Sequence, residues 1–323
     1  MRIYRSHIYK KERRSSKAGL LIFLLFFLIF PYLLSTFAKN EKEVLKKEES
    51  YGKIWIEEKY FWGTRQTEME EYLTGMVAGT IPASFEKEAL KAQAVILRSY
   101  CVFLAENKDG RKVVEGEKIR DYYFSKKDWM HGTKKEEEKY YERVEQAVKE
   151  TEGKILLYQN EVIAPPFFYS GNGRTREISD YPGVGGQYAY LQSVVCEQDM
   201  EAEYYSNYKE IDGKRFEEKI KKYFGKKDLS PGKIILYRDR SDYVKVVEID
   251  NRQMGGEEFR DLFSLESSCF GIEKVNEKIL FQTKGRGHGF GFSQFQANEL
   301  AKQGMTAEEI LQYFFKEIFL EKI

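Results

Sequence analysis

Gly285-Arg286-Gly287-His288-Gly289-Phe290-Gly291-Phe292 places glycine at every second position. In an extended chain the glycines share one face, and Arg286, His288, Phe290 and Phe292 share the other. Glycine weakens a strand, so four in alternation point to close approach by a ligand or by another stretch of backbone. The spacing is not a dinucleotide fingerprint, because G-x-G-x-x-G is absent and no acidic residue follows in a βαβ unit. No Gly-Lys-Ser/Thr follows, which excludes a P-loop. Immediately downstream, Ser293 is placed to cap a helix in which Gln294 and Asn298 lie one turn apart. Gly304 reads as the stop of that helix, and Thr306-x-x-Glu309 is a capping box that opens the last one.

Two earlier segments complement this one. Phe85–Glu106 reads as a helix, with Ser84 as N-cap and Glu86 and Glu88 in the first turn, where carboxylates suit the dipole. Leu90, Ala94, Leu97, Cys101 and Leu104 recur at steps of four and three and form its apolar stripe. Glu88, Lys91 and Arg98 fall on another side, which by itself is an ordinary solvated face with an i,i+3 ion pair. Phe167-Phe168-Tyr169-Ser170-Gly171-Asn172-Gly173-Arg174-Thr175 is a strand-like aromatic run that ends in a glycine-rich polar turn.

The chain has 323 residues, 42% hydrophobic and 33% charged, with 6 Pro and 25 Gly. These figures exclude collagen, extended disorder and a multi-span membrane protein. The net charge of +1 hides an asymmetry. Residues 1–17 carry seven Lys/Arg and one Glu, leaving 46 basic and 51 acidic residues beyond them, a net of −5. A mildly acidic body does not suit a nucleic-acid partner. Ala18–Ala38 is uncharged and about long enough to span a bilayer. With the basic tail at 1–17 held in the cytoplasm, a single-pass anchor at 18–38 places 40–323 outside, at the cell membrane. A cleaved signal peptide is the competing reading, and Ser35–Ala38 offers only a weak small-residue site. Residues 39–50 read as a charged stalk.

From 51 to 323 we expect one mixed α+β ectodomain, with a strand-rich insertion near 200–275. Strand-like runs stand at Lys53–Ile56, Lys154–Tyr158, Ile234–Tyr237, Tyr243–Ile249 and Lys278–Gln282. Helical runs stand at 136–150, 213–223, 293–302 and from Ala307. The Lys/Glu-dense stretch 107–143 reads as an exposed insertion ending in a helix. Three Cys make no disulfide framework: Cys101 lies on an apolar stripe, and Cys196 and Cys269 are either free or paired. His7, His131 and His288 give no zinc spacing, so no metal and no cofactor are expected.

Taken together, the segments resemble the SpoIID/LytB family, of the stage II sporulation protein D type. The matching residues are Glu71–Ala78, Pro82–Phe85, Glu88–Ala94 and Arg98-Ser99-Tyr100. They continue through Ala147–Tyr158, Ser170–Thr175, Tyr190–Val194 and Gly285–Ala297, in family order. The resemblance implies a membrane-anchored envelope protein acting on peptidoglycan glycan strands during forespore engulfment, as a lytic transglycosylase does. That chemistry needs one carboxyl group, which protonates the glycosidic oxygen and then, as a base, helps the sugar's own 6-hydroxyl close an anhydro ring.

Here the chain departs from the pattern. The family's acidic residue stands just before a Met-Pro, whereas this chain has Thr80-Ile81-Pro82, and threonine is no carboxylic acid. Glu88 is the alternative acid in the same helix. Three readings follow: cleavage of glycan through Glu88, a glycan-binding pseudoenzyme or amidase enhancer that assists other cell-wall hydrolases, and a structural bridge between membrane and wall. For any glycan site the candidate contacts are Arg98, Tyr169, Ser170, Arg174, Arg286, His288, Phe290, Ser293 and Gln294. The anchor reading has a direct check: alkaline washing of membranes leaves the chain in the pellet, and release into the soluble fraction overturns it.

Overall fold

The computed structural model describes residues 52–323 apart from 133–134, 182 and 226–231. The expected tail, anchor and stalk lie outside these residues. Among the described residues no helix is long and apolar enough to cross a membrane.

The chain opens with a hairpin, β1 (Ile54–Tyr60) and β2 (Gly63–Glu68), and then α1 (Met69–Thr80) and α2 (Lys87–Leu104). Next come β3 (Glu106–Lys108), β4 (Arg111–Glu115), α3 (Lys126–Gly132) and α4 (Lys135–Glu150). Short strands β5 (Lys154–Tyr158), β6 (Glu161–Val162) and β7 (Phe167–Phe168) lead into a long irregular stretch. After it lie β8 (Ser206–Asp212), α5 (Gly213–Phe224), β9 (Ile234–Arg238), β10 (Val244–Ile249), β11 (Arg252–Gly255) and α6 (Gly256–Phe263). The chain ends with β12 (Phe270–Val275), β13 (Lys278–Lys284), β14 (Phe292–Ser293), α7 (Gln294–Lys302), α8 (Ala307–Phe314) and β15 (Ile318–Lys322). The mixed α+β expectation therefore holds for the described residues.

Helix α2 is the hub of the first core. Its stripe residues Leu90, Ala94, Leu97 and Cys101 are fully buried, but so are Ala89, Ala92, Ile96, Gln93, Arg98 and Ser99. The cause is packing on several sides, by α1, α4, β5, α7 and α8. The solvated face expected for this helix is thus absent at Arg98. The helix starts two residues later than expected, with Glu86 rather than Ser84 at the N-cap. A second core joins Phe216, Phe259, Phe263, Phe270 and Phe281, between α5, α6 and the sheets β11-β10-β9 and β12-β13-β8. Each fully buried ring of this kind contributes roughly 2–3 kcal/mol of transfer free energy.

One local expectation needs correction, and one helix had no expectation. The stretch 107–143 is not simply an exposed insertion. Its β4 pairs in parallel with β1, and Val114 and Ile119 are fully buried. Tyr123 stacks on Tyr72 of α1 at 4.1 Å. Helix α1 has no clear signal in the sequence because Gly75 and Gly79 interrupt it. Both glycines are there for close approach: a Cβ on Gly75 would meet the Tyr123 ring at 2.2 Å, and one on Gly79 the Tyr122 carbonyl at 2.3 Å.

The glycine ladder is not a flat strand. All four glycines have positive φ, between 71° and 125°. Gly285 could not carry a Cβ, which would meet the Ser170 and Gly171 carbonyl oxygens at 2.6 and 2.7 Å. At Gly289 a Cβ would lie 2.3 Å from the ring of buried Tyr243. Gly289→Ala is therefore expected to destabilise by about 2–4 kcal/mol, from backbone strain plus overpacking. Gly304→Ala also has a positive φ but opens into empty space, and should lose only about 1 kcal/mol. Chemical denaturation of the two variants checks the contrast, and equal losses would show that contact at 289 adds nothing.

Candidate functional site

The ladder lies against the segment 166–171, and the two hold each other through backbone. Ser170 and Arg286 exchange both hydrogen bonds, at 3.2 and 2.8 Å, and Phe292 N donates to Pro166 O at 3.0 Å. On the ladder's other side Gly287 N donates to Glu266 O at 2.8 Å. Behind these strands sits a carboxylate that the sequence reading missed. Asp199 is fully buried. It accepts from Gly171 N at 2.6 Å, Ser293 Oγ at 2.7 Å and Gln296 N at 3.1 Å. Burial pushes its pKa up to about 7, and the three hydrogen bonds act in the opposite direction.

This arrangement leaves a cleft of about 830 Å³. One wall is the C-terminal turn of α1 with Thr80, Ile81 and Pro82, and the floor includes Gln294. Facing residues are Phe167–Tyr169, Arg286, Gly287 and, from α6 and the loop after it, Arg260, Asp261, Ser264 and Glu266. The Arg286 guanidinium lies 5.9 Å from the Tyr169 ring centroid and 3.2 Å from the Glu266 carboxylate. Gln294 Nε2 donates to Thr80 O at 2.8 Å and to Gln93 Oε1 at 3.1 Å, which ties the floor to α1 and α2. The Thr80 hydroxyl is turned away, donating to Met76 O at 2.8 Å.

Of the residues singled out from the sequence, Thr80, Tyr169, Arg286 and Gln294 line the cleft together. The structure does not bring Glu88 there. Its carboxylate accepts from Lys91 Nζ and from Ala307 N, both at 2.8 Å, so it caps the first turn of α8. Nor does it bring Arg98, which is fully buried. Arg98 holds Glu70 by two bonds of 2.6 and 2.9 Å and donates to the carbonyls of Val148 and Lys154. Its role is to tie α1, α2, the end of α4 and β5 together. Ser170 is buried behind the cleft lining, and Ser293 is the N-cap of α7 as well as a donor to Asp199. Arg174 belongs to a separate depression with Arg240 and Lys284.

His288 and Phe290 line an apolar cavity of about 430 Å³ with Ile178, Tyr188 and Leu191. Burial pushes the His288 imidazole down to about 4, so the ring is neutral at pH 7. Its Nδ1 accepts from Phe290 N at 3.0 Å. Phe290 is not a free platform, because the buried Arg176 guanidinium sits 4.5 Å over its ring. Arg176 also donates to Asp239 at 2.7 Å and Glu257 at 2.6 Å. Sequence patterns carry no signal for Arg176 or Asp199, since every partner comes from a distant segment. All three Cys are buried and free, and among the described residues no three His, Cys, Asp or Glu side chains gather as a metal site.

Comparisons with known proteins identify relatives of this chain. A family model described as stage II sporulation protein matches residues 57–158. The chain is 32% identical over 260 residues to stage II sporulation protein D of Bacillus subtilis (strain 168), spanning 77% of this chain and 73% of that protein. The counterpart in Bacillus amyloliquefaciens is 29% identical over 255 residues, with the same coverage of 77% and 73%. The amidase enhancer of Bacillus subtilis (strain 168) is 22% identical over 306 residues, 75% of this chain and 39% of that protein.

The buried Asp199 makes a pH prediction. The folded chain keeps this proton up to about pH 7, whereas the unfolded chain releases it near the ordinary value of 3.8. Raising the pH between these limits therefore favours unfolding, by at most about 4 kcal/mol over the window. Asp199→Asn should be less stable than the parent at pH 5, because its amide group opposes one of the three donors, and should lose that decline toward pH 7.5. Melting curves at pH 5–8 test it; parallel slopes for variant and parent would remove Asp199 as their cause.

Proposed function

Because the chain belongs to the stage II sporulation protein D family, we propose that its sporulation-linked, cell-wall-related role is exercised by holding a peptidoglycan glycan strand in the Thr80–Arg286 cleft. The observation that carries this reading is the pairing of Tyr169 and Arg286 on one side of an open cleft of about 830 Å³. An aromatic face packs on the apolar face of a sugar ring, and a guanidinium donates to its hydroxyl and acetamido oxygens. The anchor at 18–38, with 40–323 outside the membrane, belongs to the same proposal.

Catalysis through Glu88 is not what the geometry supports, since that carboxylate is engaged by Lys91 and the start of α8. With a threonine at position 80, the cleft suits a chain that binds glycan and presents it to another cell-wall hydrolase; one relative bears the name amidase enhancer. A second reading has its own observation. Asp261 lines the cleft as well, and it is Glu266 rather than Asp261 that pairs with Arg286, at 3.2 Å, so a cleaving enzyme would draw its acid from Asp261. Its carboxyl would protonate the glycosidic oxygen as the bond to the anomeric carbon breaks, and the resulting carboxylate would take the proton of the sugar's 6-hydroxyl as that oxygen closes on the anomeric carbon.

Retention on insoluble denuded glycan and release of anhydro-sugars test both. Arg286→Ala is expected to weaken retention about tenfold, the loss of one charge-assisted contact of roughly 1.5 kcal/mol, with little change in melting temperature because the side chain is largely exposed. Glu88→Gln should bind as the parent does and be modestly less stable. No anhydro-sugar is expected from the parent, and Thr80→Glu is expected to create some. Release by the parent that Asp261→Asn abolishes would establish the second reading. Unchanged retention by Arg286→Ala would reject the cleft as the glycan site.

A further inference from the structure

The β1–β2 hairpin closes through a two-residue loop, Phe61-Trp62, between the paired Tyr60 and Gly63. Such loops ordinarily take Asn, Asp or Gly, which tolerate the positive φ of tight hairpin turns. Here neither loop residue has a positive φ, and turn chemistry gives no reason for two large apolar side chains. Both are open to solvent: Phe61 is 97% exposed, Trp62 70% and Tyr60 39%. Three adjacent aromatic rings in water form an apolar patch that a soluble surface does not need.

We propose that this tip is a membrane-interface contact, dipping into the headgroup region of an anionic bilayer. Three observations favour lipid over other occupants. Tyr and Trp side chains partition to the interface, where the ring is buried and the hydroxyl or indole N–H stays wet, and Phe adds apolar area beside them. Cationic groups stand around the tip: Lys59 and Arg65 flank it in sequence, and Arg65 and Arg120 both act electrostatically on Tyr60, with Glu58 opposing them and Glu57, the next carboxylate back along β1, held by Lys108 at 2.6 Å. Basic residues at a bilayer surface are drawn to anionic lipid. Chain length also permits it. From Ala38, the end of the apolar run, to Gly52 the chain reaches at most roughly 45 Å, about twice the length of a seven-residue strand such as β1.

A sugar platform fits less well. The Tyr60 and Trp62 rings are stacked on each other, centroids 5.0 Å apart at 10°, and Phe61 sets its edge on Trp62 at 4.4 Å. The facing sides of Tyr60 and Trp62 are therefore already covered. None of the three lines the cleft. The proposal rests on the anchored reading of 18–38 but not on what the cleft holds. A contact at the tip would fix the ectodomain's orientation at the membrane.

The test uses the full chain reconstituted in phosphatidylcholine–phosphatidylglycerol vesicles with brominated acyl chains, which quench tryptophan by contact. The chain has three tryptophans, Trp55, Trp62 and Trp129, and the 18–38 run contains none. Brominated lipid is expected to quench a component of the emission that Trp62→Phe removes. Leaving out phosphatidylglycerol, or introducing Lys59→Glu with Arg65→Glu, should at least halve that quenching. Melting temperatures equal to the parent's show that the variants are folded. Quenching that is absent, or that survives Trp62→Phe, overturns the proposal. An emission change of Trp62 on adding glycan strands but not lipid would overturn it in favour of a sugar platform.

Discussion

The close approach of two backbones, 285–291 and 166–171, is the constraint on which the rest of the site depends. Side chains cannot occupy that interface. Any Cβ at Gly285, Gly287 or Gly291 would lie 2.4 to 2.6 Å from an atom of the facing segment, well inside contact distance. With the glycines in place, Ser170 and Arg286 bond directly. Arg286 is then thrown outward beside Tyr169. Asp199 closes the arrangement from behind, joining the 171 turn to the start of α7. Burial outweighs the three donors that converge on it, so the group keeps its proton up to about pH 7.

The cleft draws on both cores. Its helical wall is the C-terminal turn of α1, which reaches the floor through Gln294. Its opposite wall comes from α6 and the following loop, elements packed in the aromatic core around Phe259 and Phe281. The ladder runs between them: Gly287 bonds to Glu266, and Arg176 N donates to Gly289 O. Cleft width is therefore set by how the strand-rich part is pinned to the ladder. Arg176 is central to that pinning, with Asp239, Glu257 and the His288 carbonyl all within 3.0 Å of its guanidinium.

The identity of residue 80 matters because of this geometry. The end of α1 is where a side chain enters the cleft, and here the hydroxyl folds back on its own helix. Glu88 lies in the first turn of α2, yet its side chain leaves toward α8. Sequence proximity to Pro82 does not place a carboxylate at the cleft when the start of the helix turns it to another neighbour. The acids that do face the cleft belong to the strand-rich part, which the family model's match to 57–158 does not include.

What the sequence by itself determined were properties governed by near neighbours and by composition. The stripe from Leu90 to Cys101, the Ser293 cap, the Thr306–Glu309 capping box and the need for close approach at the ladder were all legible, because each follows from spacing within a few residues. The mixed α+β class and the family followed from those same segments. Only the tertiary structure decided where the polar groups went. Arg98 finds its partners at 70, 148, 151 and 154, and Glu88 finds one at 307. Helical periodicity locates a side chain around its own axis but not the element it meets, and α2 is covered on several sides. For the same reason α1 has no clear local signal: its two glycines are poor helix formers, and what requires them, the Tyr123 ring and the Tyr122 carbonyl in the space a side chain would need, lies in a distant segment.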